Sequence, residues 1–485
     1  MGPWAYKFAD FLSETQQSLW QILPLNPTET THGNSPYHSS SAFACNPLLI
    51  SPQLLAEDWL LTKEDLESVP QFLPGRVDFE SVTSIKRDLL NKAHDVFLRI
   101  GYSNEYDKFC VQNSYWLEDF ALFQALKSHF QGRVWNTWPR ELRDREPGAV
   151  NRARERFHRS IEKEKFFQWI FFKQWISLKN YCNEKGIKII GDVPIYLVLD
   201  SADIWLHPEL VKLDDRKEPY AVAGVPPDYF SETGQLWGNP VYRWDVLKQT
   251  GYAWWHQRIK HNLALFDFIR IDHFRGFVAY WEVDASEKNA VNGKWVEAPA
   301  VDFFETLLSR IPHNAIIAED LGTITPDVRE IMERFGFPGM KVLLFAFGPD
   351  LPANPYIPHN HIRNCVVYTG THDNNTAQGW FEKELSPEDR RRLFRYLGRD
   401  VPTEKIHWEL IRLAMMSVAE KVVFPMQDVL GLGEPSRMNR PATNKGNWQW
   451  RLDPQHLSEE LKERLREMTK IFGRGHQTLG RREKP

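Results

Sequence analysis

Three separated stretches of the chain each carry an apolar run into a carboxylate. Phe266 to Phe277 reads FDFIRIDHFRGF. Phe266, Phe268, Ile269 and Ile271 suit a buried strand, and Arg270, Asp272, His273 and Arg275 crowd polar groups onto its C-terminal end. Ala315 to Gly322 reads AIIAEDLG and ends in Glu319 and Asp320, while Cys365 to Thr376 reads CVVYTGTHDNNT and ends in His372 and Asp373. In a β/α barrel the strand C-termini converge on one face, so Asp272, Glu319 and Asp373 can meet there despite their separation. Three convergent carboxylates beside an arginine and two histidines suit glycoside chemistry, where an oxocarbenium-like centre needs an acid, a nucleophile and negative charge. A plainer reading of the first stretch is an Arg270–Asp272 ion pair that closes a strand, although such pairs are costly to bury without a functional reason.

The surrounding pattern alternates helices and strands. Tyr6, Phe8, Phe11, Leu12 and Leu19 recur at helical spacing over Trp4 to Leu19, and WQILPL at Trp20 to Leu25 follows as a short strand. From about Glu57 to Glu164 the chain is charged and helical, so 50–165 is expected to be a helical insertion. A helix with an aromatic face over Phe166 to Lys185 stops at Gly186 and leads into the strand IKIIGDVPI, which is a β/α unit. Ser201 to Pro240, rich in Pro, Gly and aromatics, is too long for a plain connection. It predicts a loop-rich insertion at 200–260 over the active site. A helix over Trp254 to Leu265 leads into the central strand. Further strands are expected at Ala315 to Ala318, Lys341 to Phe347, Cys365 to Tyr368 and Lys421 to Val429, and a terminal helix at Ser458 to Phe472. With those beginning near Trp20, Ile187 and Phe266, seven strands result, one short of a closed eight-stranded barrel.

The chain has 485 residues, of which 42% are hydrophobic and 26% charged, as in a large globular protein. A net charge of −4 gives no reason to expect nucleic acid or an anionic membrane as partner. Cys45, Cys110, Cys182 and Cys365 show no CxxC spacing and read as thiols of a reducing compartment. No apolar stretch is long enough to span a bilayer and MGPWAYKFADFL lacks a signal-peptide pattern, so a cytoplasmic protein is expected. The 19 tryptophans lean toward carbohydrate, whose C–H faces pack on exposed rings.

The order FIRIDHFRGF, IIAEDLG, GTHDNNT resembles the 4-α-glucanotransferases called amylomaltases or disproportionating enzymes, glycoside hydrolase family 77, relatives of the α-amylases. Further matches are SPYHSSSAFACNPLLI (Ser35 to Ile50), GDVPIYLVLDSADIW (Gly191 to Trp205), GVPPDYFSETGQLWGNPVY (Gly224 to Tyr242) and RMNRPATNKGNWQWRL (Arg437 to Leu452). The resemblance runs from about residue 2 to about residue 474. It implies an α/β fold, a TIM (β/α)8 barrel, with residues 1–485 as one catalytic domain. The family opens with a strand before the helix at Trp4, and about 20 to 25 residues of its pattern have no counterpart here. A gap or water-exposed edges are therefore expected between the strands at Trp20 and Lys421, together with a native start further upstream.

The resemblance also implies roles. Asp272 matches the nucleophile that forms a covalent glycosyl-enzyme, kept ionised by Arg270 on the same strand face. Glu319 matches the general acid/base, with its pKa raised by burial and neighbouring carboxylates. Asp373 matches the carboxylate that grips sugar hydroxyls, and His273 and His372 match histidines on the same sugar. Asp192 is expected to bond Arg270 or a neighbouring site residue. Tyr37 matches a tyrosine that stacks on the donor sugar, and Tyr229, Phe230 and Trp237 match residues that shield the site and line acceptor positions. The implied partners are maltooligosaccharides and α-1,4-glucans. No cofactor or metal is implied, because carboxylates perform the proton transfers. Two readings compete with a transferase: an α-glucan hydrolase of the amylase type with a wetter site, and a catalytically weak glucan-binding protein.

Overall fold

The computed structural model describes residues 1–475 apart from 102, 228–230 and 444. Eleven strands run in chain order among them: β1 (Leu19–Gln21), β2 (Lys188–Val193), β3 (Ala221–Val225), β4 (Gln235–Pro240), β5 (Phe268–Ile271), β6 (Ala279–Asp284), β7 (Lys294–Glu297), β8 (Ile316–Ala318), β9 (Gly339–Val342), β10 (Cys365–Tyr368) and β11 (Lys421–Val423). All seven strands expected from the sequence are present, and they pair in parallel as β1-β2-β5-β8 and β9-β10-β11. The two sheets meet where the Ala318 N–H donates to Pro338 O at 2.9 Å and the Met340 N–H to Asp320 Oδ1 at 2.6 Å.

Register decides what faces inward. Gln21 lies beside Ile190 and Ile190 beside Phe268; Asp192 lies beside Arg270 and Arg270 beside Ile317. Side chains alternate along a strand, so each of these rows shares one face. The inner rows hold apolar groups low on the wall and charged groups at the C-terminal ends. Long helices cover the outside. His158–Glu184 supplies Phe166, Phe171, Trp175 and Leu178 to the core, and Ala253–Leu265 supplies Trp255 and Ile259.

Several expected elements differ in extent. The helix expected to run to Leu19 is Pro3–Glu14. The stretch expected as a strand from Lys341 to Phe347 pairs only as Gly339–Val342 and then coils into a tight turn at Leu343–Phe345. The last strand stops at Val423, because Pro425 has no N–H for the ladder and instead opens a helix at Met426–Val429. Within 200–260, β3 and β4 join β6 and β7 in an antiparallel sheet of order β4-β3-β6-β7. The expected loop-rich insertion did not include this sheet, whose strand β3, AVAGV, is too small-sided to advertise itself.

β1 and β11 are the outer edges of the parallel wall, and among the described residues no strand joins them. Their residues are half-exposed, whereas Ile269–Ile271, Ile316–Ala318 and Cys365–Tyr368 are buried. The expected gap between these two strands is therefore present.

Packing is tight at Gly191, where a Cβ would fall 2.1 Å from the Phe266 ring. Gly191→Ala is expected to lower stability by about 1–3 kcal/mol by overpacking, read as a lower urea midpoint at unchanged m-value. A midpoint within error of wild type would show that the Phe266 ring moves freely.

Candidate active site

Arg270 sits at the centre of the charged ends. It is 3% exposed, and its guanidinium holds Asp192 Oδ2 at 2.6 Å and Asp272 Oδ1 at 3.0 Å. Its Nε points at Met340 Sδ, 3.4 Å away across the wall. Asp192, 2% exposed, also accepts from the Tyr37 hydroxyl at 2.7 Å, which ties the loop Ser35 to Ile50 to the strand end. The expected bond between Asp192 and Arg270 is thus made.

The chain bends sharply after β5. His273 adopts a left-handed backbone with φ 50°, and its N–H donates to Glu319 Oε2 at 2.6 Å. Leu321 N–H donates to Glu319 Oε1 at 2.8 Å, so both oxygens are fixed by main chain. The strand ends are tied in turn: Glu319 N–H donates to Ile271 O at 3.0 Å and Asp272 N–H to Val193 O at 3.1 Å. Arg275 anchors the following turn by donating to Thr323 O and stacking on Trp295 at 3.8 Å.

Asp373 is held differently. Asn439 donates to its Oδ1 at 2.7 Å and Arg437 to its backbone oxygen at 2.7 Å. His372 Nε2 lies 3.5 Å from the same carboxylate oxygen. His372 stacks on Tyr37 with centroids 5.1 Å apart, and Trp448 packs against both rings at 5.8 to 5.9 Å. Across the cleft, the Trp237 ring stands edge-on to His273 at 4.7 Å. Of the expected site residues, Asp272, Glu319, Asp373, Asp192, Arg270, His273, His372, Tyr37 and Trp237 come together; Tyr229 and Phe230 lie outside the described residues. Asn439, Arg437 and Trp448 were not singled out from the sequence. The motif RMNRPATNKGNWQWRL contains all three, and an Asn beside arginines after the last strand is the signal that could have found them.

Electrostatics separates the two carboxylates of the parallel wall. Burial raises Asp272 to about 6, opposed by Arg270 and reinforced by Asp192 and Asp373. Arg270 opposes this rise, in the direction expected of a partner that keeps Asp272 ionised, but it divides its charge between Asp272 and Asp192, and desolvation outweighs what remains. The side chain nevertheless keeps 29% of its surface open to the cleft. Glu319, 9% exposed, is raised to about 8 by burial and then by the Asp272 charge, against Arg270 and the two N–H donors. Burial, and then Arg275, lower His273 to about 3, so it is neutral. Near neutral pH the wall therefore presents an ionised Asp272 beside a protonated Glu319.

A parallel wall with this pairing at its strand ends places the chain among the β/α-barrel enzymes that work on glycosidic bonds. Comparison with known proteins narrows the class. Residues 1–457 match the glycoside hydrolase 77 family model, described as 4-alpha-glucanotransferase, and the chain belongs to that family. It is 47% identical over 480 residues to a 4-alpha-glucanotransferase of Synechocystis, covering 98% of this chain and 94% of that one. It is also 47% identical over 474 residues to that of Aquifex aeolicus, covering 98% and 95%. The amylomaltase of Streptococcus agalactiae, solved in complex with acarbose, superposes with a TM-score of 0.93 at 40% identity, covering 98% of this chain and 96% of that one.

The raised pKa of Glu319 has a thermodynamic counterpart. Its folded value lies above the ordinary 4.5, so its contribution to stability is present below about 4.5 and lost as pH rises through about 8. Glu319→Gln removes that loss, whatever constant offset its amide leaves against the two N–H donors. The variant's thermal midpoint, relative to wild type, should therefore climb by several degrees between pH 5 and pH 9. A flat difference across that range would place the Glu319 carboxyl in its ordinary range.

Proposed function

We propose that the chain transfers α-1,4-glucan segments between maltooligosaccharides by a retaining double displacement. The observation that carries this reading is the Asp272–Glu319 pair at two bonded strand ends, with both Glu319 oxygens held by main-chain N–H groups and with burial raising Glu319 above Asp272. The ionised Asp272 attacks the anomeric carbon as Glu319 gives its proton to the departing glycosidic oxygen. A covalent glycosyl–Asp272 ester remains. Glu319, now ionised, takes the proton of an incoming sugar 4-hydroxyl, which displaces Asp272 and restores the configuration. Asp373, held by Asn439, accepts sugar hydroxyls. Neutral His273 and the His372 ring serve the same donor sugar, and Tyr37, stacked on His372 and bonded to Asp192, offers it a face.

Transfer and hydrolysis share the first half of this sequence. Trp237, wedged against His273 and donating to Gln235 Oε1, supports transfer by offering an acceptor sugar a platform where water would otherwise enter. Tyr229 and Phe230 belong to the same proposal from their sequence motif. We assign one catalytic unit over 1–485, with the helices of 50–165 and the insertion 200–260 as its additions. The four free cysteines support a cytoplasmic location. Among the described residues, no helix is long and apolar enough to cross a membrane.

Asp272→Asn and Glu319→Gln are each expected to lower maltotriose disproportionation by several powers of ten while leaving the folded state intact. In wild type the rate should follow a bell: it falls below about pH 6 as Asp272 takes up a proton, and above about pH 8 as Glu319 loses one. Near wild-type transfer by either folded variant would reassign the roles.

Trp237→Ala should shift the partition toward hydrolysis, read as more new reducing ends per glucose released from maltotriose. An unchanged ratio would remove Trp237 from acceptor binding.

A further inference from the structure

One of the three acceptors around Arg270 is not a carboxylate. One terminal nitrogen of the guanidinium meets Asp192 at 2.6 Å, the other meets Asp272 at 3.0 Å, and Nε meets Met340 Sδ at 3.4 Å. Among the described residues Nε has no other acceptor. The backbone fixes where the sulfur can be. Met340 pairs with Val366 in the β9–β10 ladder, and its N–H donates to Asp320 Oδ1 at 2.6 Å. Gly339, just before it, lets that carboxylate come close: a Cβ there would fall 2.6 Å from Asp320 Oδ2. The Met340 side chain is fully buried in one apolar cluster with Ile190, Ile317 and Val366. A residue of the second sheet thus supplies an acceptor to the cation at the centre of the first.

We propose that Met340 is a positioning residue for the transfer: its thioether is the neutral acceptor that holds the Arg270 guanidinium between Asp192 and Asp272 without drawing on its charge. The assignment rests on the reading of Asp272 as the nucleophile. A guanidinium is planar, so contacts on three nitrogens fix both its place and its tilt. An aliphatic side chain at 340 would leave the buried Nε–H unpaired, and the guanidinium would turn to find a partner. A carboxylate there would be a third anion on one cation and would weaken its hold on the other two. A thioether is a weak, uncharged acceptor and does neither. Besides Arg270, the charged and titratable groups facing Asp272 are Asp192 from β2, Glu319 from the end of β8, and His372 and Asp373 from beyond β10; Tyr37 and Tyr368 face Arg270. Substitution at 340 removes none of them, so a change in the titration of Asp272 reports on Arg270.

Met340→Leu and Met340→Gln test this in the full chain. Leu keeps the volume and removes the acceptor, whereas Gln restores one through its amide oxygen. If the sulfur only packs, Leu is the milder change; the proposal reverses that order. The acid limb of kcat/KM for maltotriose disproportionation should move to higher pH by about half a pH unit in the Leu variant, because a loosened cation opposes protonation of Asp272 less. It should return to the wild-type position in the Gln variant. An unmoved limb in the Leu variant, or a Gln variant no nearer wild type than Leu, overturns the proposal. A second measurement needs no turnover. In the chain labelled with selenomethionine, the Arg270 Nε–H proton should show scalar coupling to selenium that is lost in Met340→Leu. Should the Leu variant not fold, the coupling in the labelled wild type decides. Transfer without the coupling leaves the reading of Asp272 standing and the Met340 assignment fallen. Coupling without transfer removes the double displacement, and the role in transfer with it.

Discussion

One buried cation sets the character of the site. Arg270 is almost wholly out of water and faces two carboxylates directly, Asp192 and Asp272, with the charge of Glu319 also acting on it. Removing a guanidinium from water costs several kcal/mol unless its donors are matched, and the carboxylates on β2 and just past β5 provide the match. The cation cannot fully compensate every negative charge around it. Asp192 is the more deeply buried partner at the shorter distance; burial moves Asp272 to about 6 against the share of Arg270 left to it; burial, and then the like charge of Asp272, move Glu319 to about 8. Replacing that cation with a neutral group would leave the deepest carboxylate unpaired, so the strand ends and the chemistry depend on the same contact.

Much of this was legible in the sequence because the relevant signals are local. An apolar run that turns charged at its end, three times over, is visible without any tertiary information, and each run became a strand of the parallel wall. Asp192 and Arg270 share a row because the parallel register puts them side by side. Extents were less legible. Whether KVVFPMQDV is one strand or a strand and a helix turns on Pro425, a local signal that the apolar composition overrode. The sheet of β3, β4, β6 and β7 was hidden because β3 and β6 pair from far apart in sequence and β3 and β4 are small-sided or glycine-bearing. The division of Arg270 between two carboxylates was hidden for a different reason: two residues apart on one strand announces a pair, but only the fold brings the competing partner from β2.

The three carboxylates are not equally fixed. Asp272 and Glu319 sit at strand ends whose main chains bond one another, and both Glu319 oxygens are held by N–H groups. Asp373 comes from the other sheet, and 46% of its side chain is exposed. Its carboxylate is oriented by Asn439, which itself sits on a segment joined to the site by Asn439 N–H to His372 O and by Arg437 to Asp373 O. Asp272 and Glu319 are thus set by the wall, and Asp373 by a loop. That division suits a double displacement, in which the reacting atoms need a fixed frame twice while the bound chain is exchanged between steps.

The relation between the two sheets then becomes the remaining variable. On one side they are stapled by Ala318 to Pro338 and Met340 to Asp320, and Arg270 reaches Met340 from within. On the other side Tyr368 reaches Gln21 across the gap through a single hydroxyl. A net hydrogen bond is worth about 1 kcal/mol, less than the ladder of a paired strand. Asp272 and Glu319 follow paired strands of one sheet, whereas Asp373 follows a strand of the other. The placement of Asp373 against Asp272 therefore depends on how the two sheets meet, and the placement of Glu319 against Asp272 does not.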